Sequence, residues 1–154
     1  LECERVPCLL GHGLVKKAPI TVLGRTFEIT PVSMGNPHCV IFVRDPDYVD
    51  LEQIGPLLEN NAIFPQRANV EFVQVVSRDH LRMRVWERGS GETWACGTGA
   101  CAVAVAAVEN GFCTRGADID VRLPGGTLVV RYQEDGKVWL TGDANTDFTG
   151  TIEI

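Results

Sequence analysis

The chain has 154 residues, of which 45% are hydrophobic, and a formal net charge of −6 at pH 7. This length fits one domain with a substantial core, and an acidic balance without a basic stripe argues against nucleic acid as a partner. The apolar run Ala100–Val108 is far shorter than the ~18 residues that a membrane span needs, so we expect no membrane partner. Because the chain begins at Leu1 without a signal-peptide pattern, we interpret it as a fragment or processed form of a cytoplasmic protein.

Short strands dominate the first half of the chain. Residues Val15–Leu23 and Thr26–Met34 form a predicted hairpin, and Cys39–Val43 is a predicted apolar strand. Asp50–Asn60 is predicted to be a helix because its apolar residues recur at helical spacing. Its first residue, Asp50, is a suitable N-cap.

The second half continues this strand-rich pattern. Val70–Val76 and Leu81–Trp86 read as paired strands. Further along, Gly-containing turns separate three more apolar segments, which indicates hairpins. These predicted strands are Ile119–Leu123, Thr127–Tyr132 and Val138–Leu140.

The most apolar predicted element is a helix that begins after Gly97 and ends at Asn110–Gly111. A helix that is apolar all round is buried on every side. Many short strands and one fully buried helix predict an α+β fold, in which a mostly antiparallel, barrel-like sheet wraps around that helix. We expect residues 1–154 to form a single domain.

Six cysteines could indicate disulfides, but that inference applies to short secreted chains. Zinc is not expected either, because no pair of cysteines is separated by two residues. We therefore expect reduced, mostly buried thiols and no metal site. The six are Cys3, Cys8, Cys39, Cys96, Cys101 and Cys113.

Cys96 stands out because it directly precedes the first turn of the buried helix. Unpaired N–H groups at a helix N-terminus favour an anion, so they can lower the pKa of a thiol and hold a substrate carboxylate. Cys96 is thus a candidate base or nucleophile beside a carboxylate site. Cys101, inside the helix, is interpreted as an ordinary core cysteine.

Other polar residues have structural interpretations when each is taken alone. Asn36 can shape a turn, His38 can be a core or rim histidine, and Asn69 can cap a strand end. Glu87 and Arg88 precede the glycine-rich loop, where a surface ion pair is one interpretation. An arginine at a pocket rim that clamps a carboxylate is the other.

Three motifs together resemble diaminopimelate epimerases: Gly35–His38 (GNPH), Arg67–Val70 (RANV) and Glu87–Ala102 (ERGSGETWACGTGACA). The resemblance runs along essentially the whole chain and concerns the C-terminal half of that family. It implies a two-domain enzyme in which each domain is a sheet around a central helix and the active site lies between them. The N-terminal domain is then a missing catalytic partner.

The resemblance also implies the chemistry. The substrate is LL- or meso-diaminopimelate, a precursor of lysine and peptidoglycan, and one α-carbon is inverted without metal or pyridoxal phosphate. Two cysteines exchange protons on opposite faces of that carbon, and Cys96 matches the second of them. Glu87 and His38 tune the two thiols, and the N–H groups of Gly97 and Thr98 hold the reacting carboxylate.

Asn36, Asn69 and Arg88 match the residues that read the distal end of the substrate, with Arg88 on its carboxylate. An isolated chain with one such cysteine is expected to be inactive. Two alternatives remain open: a related racemase for another amino acid, and a non-catalytic domain that binds a small carboxylate. The resemblance further implies that residues 142–154 form a strand of the missing domain. We expect this tail to pair with its own sheet or, by exchange, with a second copy in a homodimer.

Overall fold

The computed structural model describes residues 6–11, 13–146 and 148–152. Within these ranges the chain forms nine strands and two α-helices. In chain order they are β1 (Ala18–Val22), β2 (Arg25–Ser33), β3 (Pro37–Phe42), α1 (Leu51–Glu59), β4 (Asn69–Val75), β5 (His80–Glu87), β6 (Gly91–Thr93), α2 (Gly97–Glu109), β7 (Asp118–Leu123), β8 (Gly126–Tyr132) and β9 (Val138–Thr141).

All nine strands belong to one mixed sheet. Its order is β1-β2-β3-β4-β5-β7-β8-β9, with the short β6 paired to β5. The β3–β4 and β5–β7 pairs are parallel and the others are antiparallel. A parallel pair needs a crossover connection, and α1 and α2 lie in these two crossovers.

The prediction of an α+β fold with a mostly antiparallel sheet is confirmed in its coarse form, but the barrel-like closure is wrong. Among the described residues, β1 and β9 each pair with a single neighbour, so the sheet is open. Closure depends on whether the first and last strands meet, and no local sequence pattern encodes that meeting.

Two hydrophobic cores lie on opposite faces of the sheet. Successive side chains of a strand point to opposite faces, and in β3 the side chain of Val40 joins the core around α2 while Ile41 joins the core around α1. Helix α2 is buried along most of its length and contacts β2, β3, β4, β7, β8 and β9. The second core, around α1, was not anticipated from the sequence.

Helix α1 matches its predicted range closely. The side chain of Asp50 accepts a hydrogen bond from the N–H of Gln53 at 3.1 Å, which satisfies one of the free donors of the first turn. Its apolar face buries Ile54 and Leu58. Gly55 lies against the ring of Trp86, and a Cβ at this position would be 2.5 Å from two ring carbons.

The variant Gly55→Ala is expected to be destabilised, although alanine is the better helix former by about 1 kcal/mol. The added methyl group must push the Trp86 ring away, and overpacking of this kind costs about 1–3 kcal/mol. Urea unfolding measures the change, with the exposed Gln53→Ala in the same helix as a control that should stay near the parent. A Gly55→Ala protein as stable as the parent would contradict this packing.

The cysteines depart from expectation at one position. Cys39, Cys96, Cys101 and Cys113 are free, but Cys8 is disulfide-bonded, so the prediction of a reduced thiol is wrong there. Cys3 lies outside the described residues. Spacing along the chain does not show which thiols the fold brings together, which is why this bond was missed.

The C-terminal tail does not pair with the sheet of its own chain over the residues described. Residues 142–146 and 148–152 contain neither strand nor helix, and Phe148 and Ile152 are 88% and 87% exposed. Asp147, Glu153 and Ile154 lie outside the described residues. Pairing with another domain or a second copy stays a prediction. In the described part of the chain, no helix has the length and apolar character to cross a membrane.

Candidate active site

Cys96 occupies the N-cap position of α2, with the extended backbone (φ −146°, ψ 101°) typical of a cap. Its thiol accepts a hydrogen bond from the N–H of Gly99 at 3.3 Å, and its carbonyl accepts from the N–H of Ala100 at 2.9 Å. The N–H groups of Gly97 and Thr98 donate to no acceptor within the described ranges. The first turn therefore offers two free donors next to the thiol.

An open cavity of about 560 Å³ lies at this helix mouth. Leu140 of β9 lies on the cavity wall close to Gly97, since a Cβ on Gly97 would be 3.2 Å from Leu140 Cδ2. Cys101 is only half-buried and borders the cavity while packing against the α2 core, so it is less enclosed than a core cysteine. The cavity is lined by Met34, Glu87, Ala95, Cys96, Gly97, Thr98, Cys101, Val138 and Leu140.

A buried pair of His38 and Glu71 lies next to this mouth. Nδ1 of His38 is 2.6 Å from Oε1 of Glu71, and Nε2 of His38 is 3.0 Å from Oδ1 of Asn36. Both residues of the pair are fully buried, and Oε2 of Glu71 has no hydrogen-bond partner among the described residues. Burial raises the pKa of Glu71, and the adjacent imidazole opposes that rise.

Glu71 was not identified from the sequence. The available signal was a carboxylate in the middle of the apolar strand Asn69–Val75. Its contact to His38 depends on the parallel pairing of β3 with β4, where His38 aligns with Asn69 and Val40 aligns with Glu71. Because that register is a tertiary feature, the strand sequence alone does not reveal the partner.

The His38 pair connects to Cys96 through side chains of the helix mouth. Nδ2 of Asn36 is 3.5 Å from Oγ1 of Thr98, and that oxygen is 3.8 Å from Sγ of Cys96. A Cβ on Gly99 would lie 3.0 Å from Sγ of Cys96 and 3.1 Å from Oε1 of Glu71. The absence of a side chain at Gly99 thus allows the thiol and the carboxyl group to approach the same point.

Asn69 and Arg88 also lie together. Asn69 donates to the carbonyl of Pro37 at 3.2 Å and accepts from the N–H of Arg88 at 2.9 Å. The guanidinium of Arg88 donates to the carbonyl of Gln66 at 2.8 Å. Both ends of the Asn69 amide therefore bond to backbone groups, while Arg88 is half-buried beside them.

Glu87 ends β5 and lines the cavity together with Cys96. The hydroxyl of Thr93, on β6, donates to Oε1 of Glu87. The short β6 was interpreted from the sequence as part of a glycine-rich loop. Its pairing with β5 turns this segment back so that the carboxylate of Glu87 and the thiol reach one cavity. Within the described ranges, no group of three or more His, Cys, Asp or Glu side chains could hold a metal ion.

The pKa of Cys96 shifts in the opposite direction to the sequence-based expectation. Burial raises it to about 11, because desolvation outweighs the hydrogen bonds from Gly99 and Thr98. The carboxylates of Glu71 and Glu87 raise it further. The helix terminus does stabilise the thiolate, but burial costs more. In this chain Cys96 is therefore a protonated thiol at neutral pH.

This shift predicts a loss of stability at alkaline pH. Between pH 9 and about 11 the unfolded chain has released the Cys96 proton while the folded chain retains it, so the free energy of unfolding falls as pH rises. The slope from one such thiol is at most about 1.4 kcal/mol per pH unit. Urea unfolding at several pH values measures it, and Cys96→Ala should flatten the curve.

Cys113 provides a matched comparison, since burial also raises its pKa to about 11. Cys113→Ala should flatten the curve independently, and the double variant should show the sum of both changes. A Cys96→Ala protein with the parent's alkaline slope would contradict the raised pKa.

The geometry can be compared with known proteins. The family model described as diaminopimelate epimerase matches residues 30–146. A diaminopimelate epimerase of Leptospira biflexa serovar Patoc is 54% identical over 135 residues, covering 88% of this chain and 48% of the relative. Diaminopimelate epimerase 1 of Nostoc sp. is 53% identical over 155 residues, covering 99% of this chain and 55% of the relative.

Two solved structures share the fold. A hydroxyproline epimerase from Agrobacterium vitis with bound trans-4-OH-L-proline matches with a TM-score of 0.56 at 17% identity, covering 86% of this chain and 49% of that chain. A predicted epimerase from Pseudomonas aeruginosa matches with a TM-score of 0.54 at 23% identity, covering 82% of this chain and 47% of that chain. The chain spans about half the length of the curated relatives it matches, and that half is their C-terminal one. By its family-model match and its identity to these relatives, the chain belongs to the diaminopimelate epimerase family.

Proposed function

We propose that this chain is the C-terminal half of a diaminopimelate epimerase that interconverts LL- and meso-diaminopimelate without a cofactor. The observation that carries the proposal is a buried thiol at the mouth of α2, next to two free backbone N–H groups and the His38–Glu71 pair. Family membership supports the same reaction. The reaction requires the N-terminal domain, and we place it in cytoplasmic lysine and peptidoglycan-precursor synthesis.

In this proposal Cys96 is one of two proton-transferring groups. A thiolate of the N-terminal domain takes the α-proton from one face of the carbon, and the S–H of Cys96 supplies a proton to the other face. The reverse reaction exchanges the two roles. A raised pKa suits the donor role, in which Cys96 enters the reaction protonated.

The reacting carboxylate is proposed to bind the free N–H groups of Gly97 and Thr98. Negative charge that develops as the α-proton leaves is then stabilised by these donors and by the positive end of α2. His38 and Glu87 are proposed to tune the thiols, with Glu87 on the cavity wall that contains Cys96. Glu71, held against His38, fixes the orientation of that ring.

The distal end of the substrate is proposed to meet Asn36, Asn69 and Arg88. Arg88 supplies a guanidinium that can form two parallel hydrogen bonds with a carboxylate. When the ligand binds, Arg88 would give up its present hydrogen bond to a backbone carbonyl and bond to the ligand carboxylate. Fixing the distal end holds the α-carbon between the two thiols, and such positioning contributes several kcal/mol to lowering a barrier.

The test is proton exchange at the α-carbon by the chain combined with an N-terminal domain of the family. In deuterated water, inversion of diaminopimelate with deuterium at the α-carbon supports the proposal. The chain alone, with Cys96 as its one proposed proton-transferring thiol, should show no exchange above that of the buffer. Exchange by the isolated chain would contradict the two-domain mechanism.

The same assay separates the alternatives. Inversion of a different amino acid, with diaminopimelate unchanged, identifies a related racemase. No exchange on any amino acid, combined with calorimetric binding of a small carboxylate by the chain alone, identifies a carboxylate-binding domain.

A further inference from the structure

Glu59, the last residue of α1, is a buried carboxylate with three hydrogen-bond donors. Oε2 accepts from the indole N–H of Trp86 at 2.8 Å, and Oε1 accepts from the N–H of Gly89 at 2.9 Å and from Nη1 of Arg67 at 3.0 Å. The residue is 5% exposed. A charge is buried at this depth only when it is paired and hydrogen-bonded, and here both oxygens are engaged.

The three donors come from the two segments that carry the distal-end residues of the proposed site. Trp86 and Gly89 bracket Glu87 and Arg88. Arg67 lies two residues before Asn69 in the segment that leads into β4. The hydrogen bond from the N–H of Arg88 to Asn69 then joins the two segments directly. The carboxylate of Glu59 on α1 is thus hydrogen-bonded to both segments, the one that carries Asn69 and the one that carries Arg88.

The backbone of Arg67 indicates that this hydrogen bonding holds a conformation against its local preference. Arg67 has φ +59°, in the left-handed region that a non-glycine residue adopts at a cost. Its guanidinium bonds to Glu59 and its N–H bonds to the carbonyl of Phe64 at 2.8 Å. Strained backbone of this kind persists where surrounding contacts enforce it.

The packing of the Trp86 ring restricts the segment that carries Arg88. Gly55, one turn before Glu59, leaves room for the ring, and Gly91 of β6 lies near its far edge, where a Cβ would be 3.6 Å from Cη2. The indole is held between α1 and the β5–β6 turn, with its N–H on Glu59. Because Glu87 and Arg88 follow Trp86 directly, their positions depend on where this ring is held.

We propose that Glu59 is a positioning residue that sets where Arg88 and Asn69 stand relative to the mouth of α2, and through them selects an amino acid with a distal carboxylate. This inference rests on the proposed function. Glu59 acts through the two segments and does not itself contact the substrate. The alternative is that Glu59 only anchors α1 to the sheet, which would affect stability alone.

Glu59→Gln tests the proposal in the enzyme with both domains. Glutamine keeps the shape but turns one acceptor into a donor, so either Trp86 loses its bond or Gly89 and Arg67 both lose theirs. We expect KM for diaminopimelate to rise about tenfold or more with a smaller change in kcat. The preference for diaminopimelate over lysine, which lacks the distal carboxylate, should fall by a similar factor.

Leu58→Ala is the matched control. Leu58 is the neighbouring residue on α1 and is fully buried in its core, so its truncation loosens the helix but removes no side-chain hydrogen bond to either segment. It should lower stability while leaving KM and the diaminopimelate–lysine preference unchanged. If Glu59→Gln and Leu58→Ala change stability alone, or change KM and preference equally, the positioning role is overturned.

Amide hydrogen exchange of the same variants gives a readout that needs no activity. Glu59→Gln should speed exchange at Arg88 and Gly89, which follow β5, more than at the amides of β5 itself, whereas Leu58→Ala should not. Faster exchange at these two amides in a protein inactive on diaminopimelate supports the positioning role and counts against the proposed substrate. Unchanged exchange overturns the positioning role whatever the activity. Glu59→Gln, being isosteric, keeps the test usable if Glu59→Ala does not fold.

Discussion

Replacing Cys96 by alanine in the enzyme with both domains is expected to lower turnover of diaminopimelate by about 10⁴-fold while the protein stays folded. Removal of the acid in a two-group proton transfer leaves one face of the carbon without a donor, and positioned acid–base groups contribute about 10²–10⁴-fold each. Cys96 is 7% exposed and caps α2, so the loss of the thiol also costs about 1 kcal/mol of stability. Deuterium incorporation at the α-carbon measures the activity and thermal unfolding measures the fold.

Cys113→Ala is the matched control for this experiment. Cys113 is also free, equally buried at 7% exposed, and follows the other end of α2. Its replacement removes the same sulfur atom from the same core, but Cys113 does not line the cavity. It should keep the activity of the parent. Equal loss of turnover in both variants at matched stability would contradict a chemical role for Cys96.

Replacing Glu71 by alanine is expected to cost about 1–3 kcal/mol of folding free energy, the penalty of leaving a buried hydrogen-bonding group without its partner. Nδ1 of His38 would lose its partner at 2.6 Å in a site with no exposure to water. For a domain of this size the midpoint of thermal unfolding should fall by roughly 2–12 °C. Turnover should fall as well, because the His38 ring loses the contact that orients it.

Two further variants make this result interpretable. Glu71→Gln keeps an acceptor for His38 and should retain most of the stability. Glu92→Ala removes a carboxylate that bonds Arg84 at the surface at 2.7 Å and 2.9 Å, and exposed pairs contribute only about 0–1 kcal/mol. If Glu71→Ala is no more destabilising than Glu92→Ala, the buried pair does not stabilise the fold.

The two helices could be predicted to within a residue or two because their signals are local. Asp50 caps α1 within its own first turn, and the apolar residues of α2 follow one another without interruption up to Glu109. Most strands were also recognisable from apolar runs between turns. The short β6 was missed, since three residues around glycine and threonine resemble a loop until they pair with β5.

The residues of the site also fall into two groups, those that the sequence motifs identified and those that only the fold revealed. The motifs place Cys96 at the start of α2, and the fold brings Asn36, His38 and Thr98 to it within a chain of contacts. The two buried carboxylates behind the site, Glu59 and Glu71, were not identified. Each contacts partners that are 8 to 33 residues away in sequence, so only the completed fold shows what they hold.

By itself, the amino-acid sequence determined the α+β class, both helices, the helix-mouth cysteine and the family resemblance, because caps, periodicity and motifs are short-range properties. The tertiary structure alone decided that the sheet is open and mixed, that it has a core on each face, and that Glu71 faces His38. It also decided the direction of the Cys96 pKa. The helix terminus lowers that pKa through nearby N–H groups, but desolvation depends on how completely the rest of the chain surrounds the thiol, and here burial outweighs the local effect.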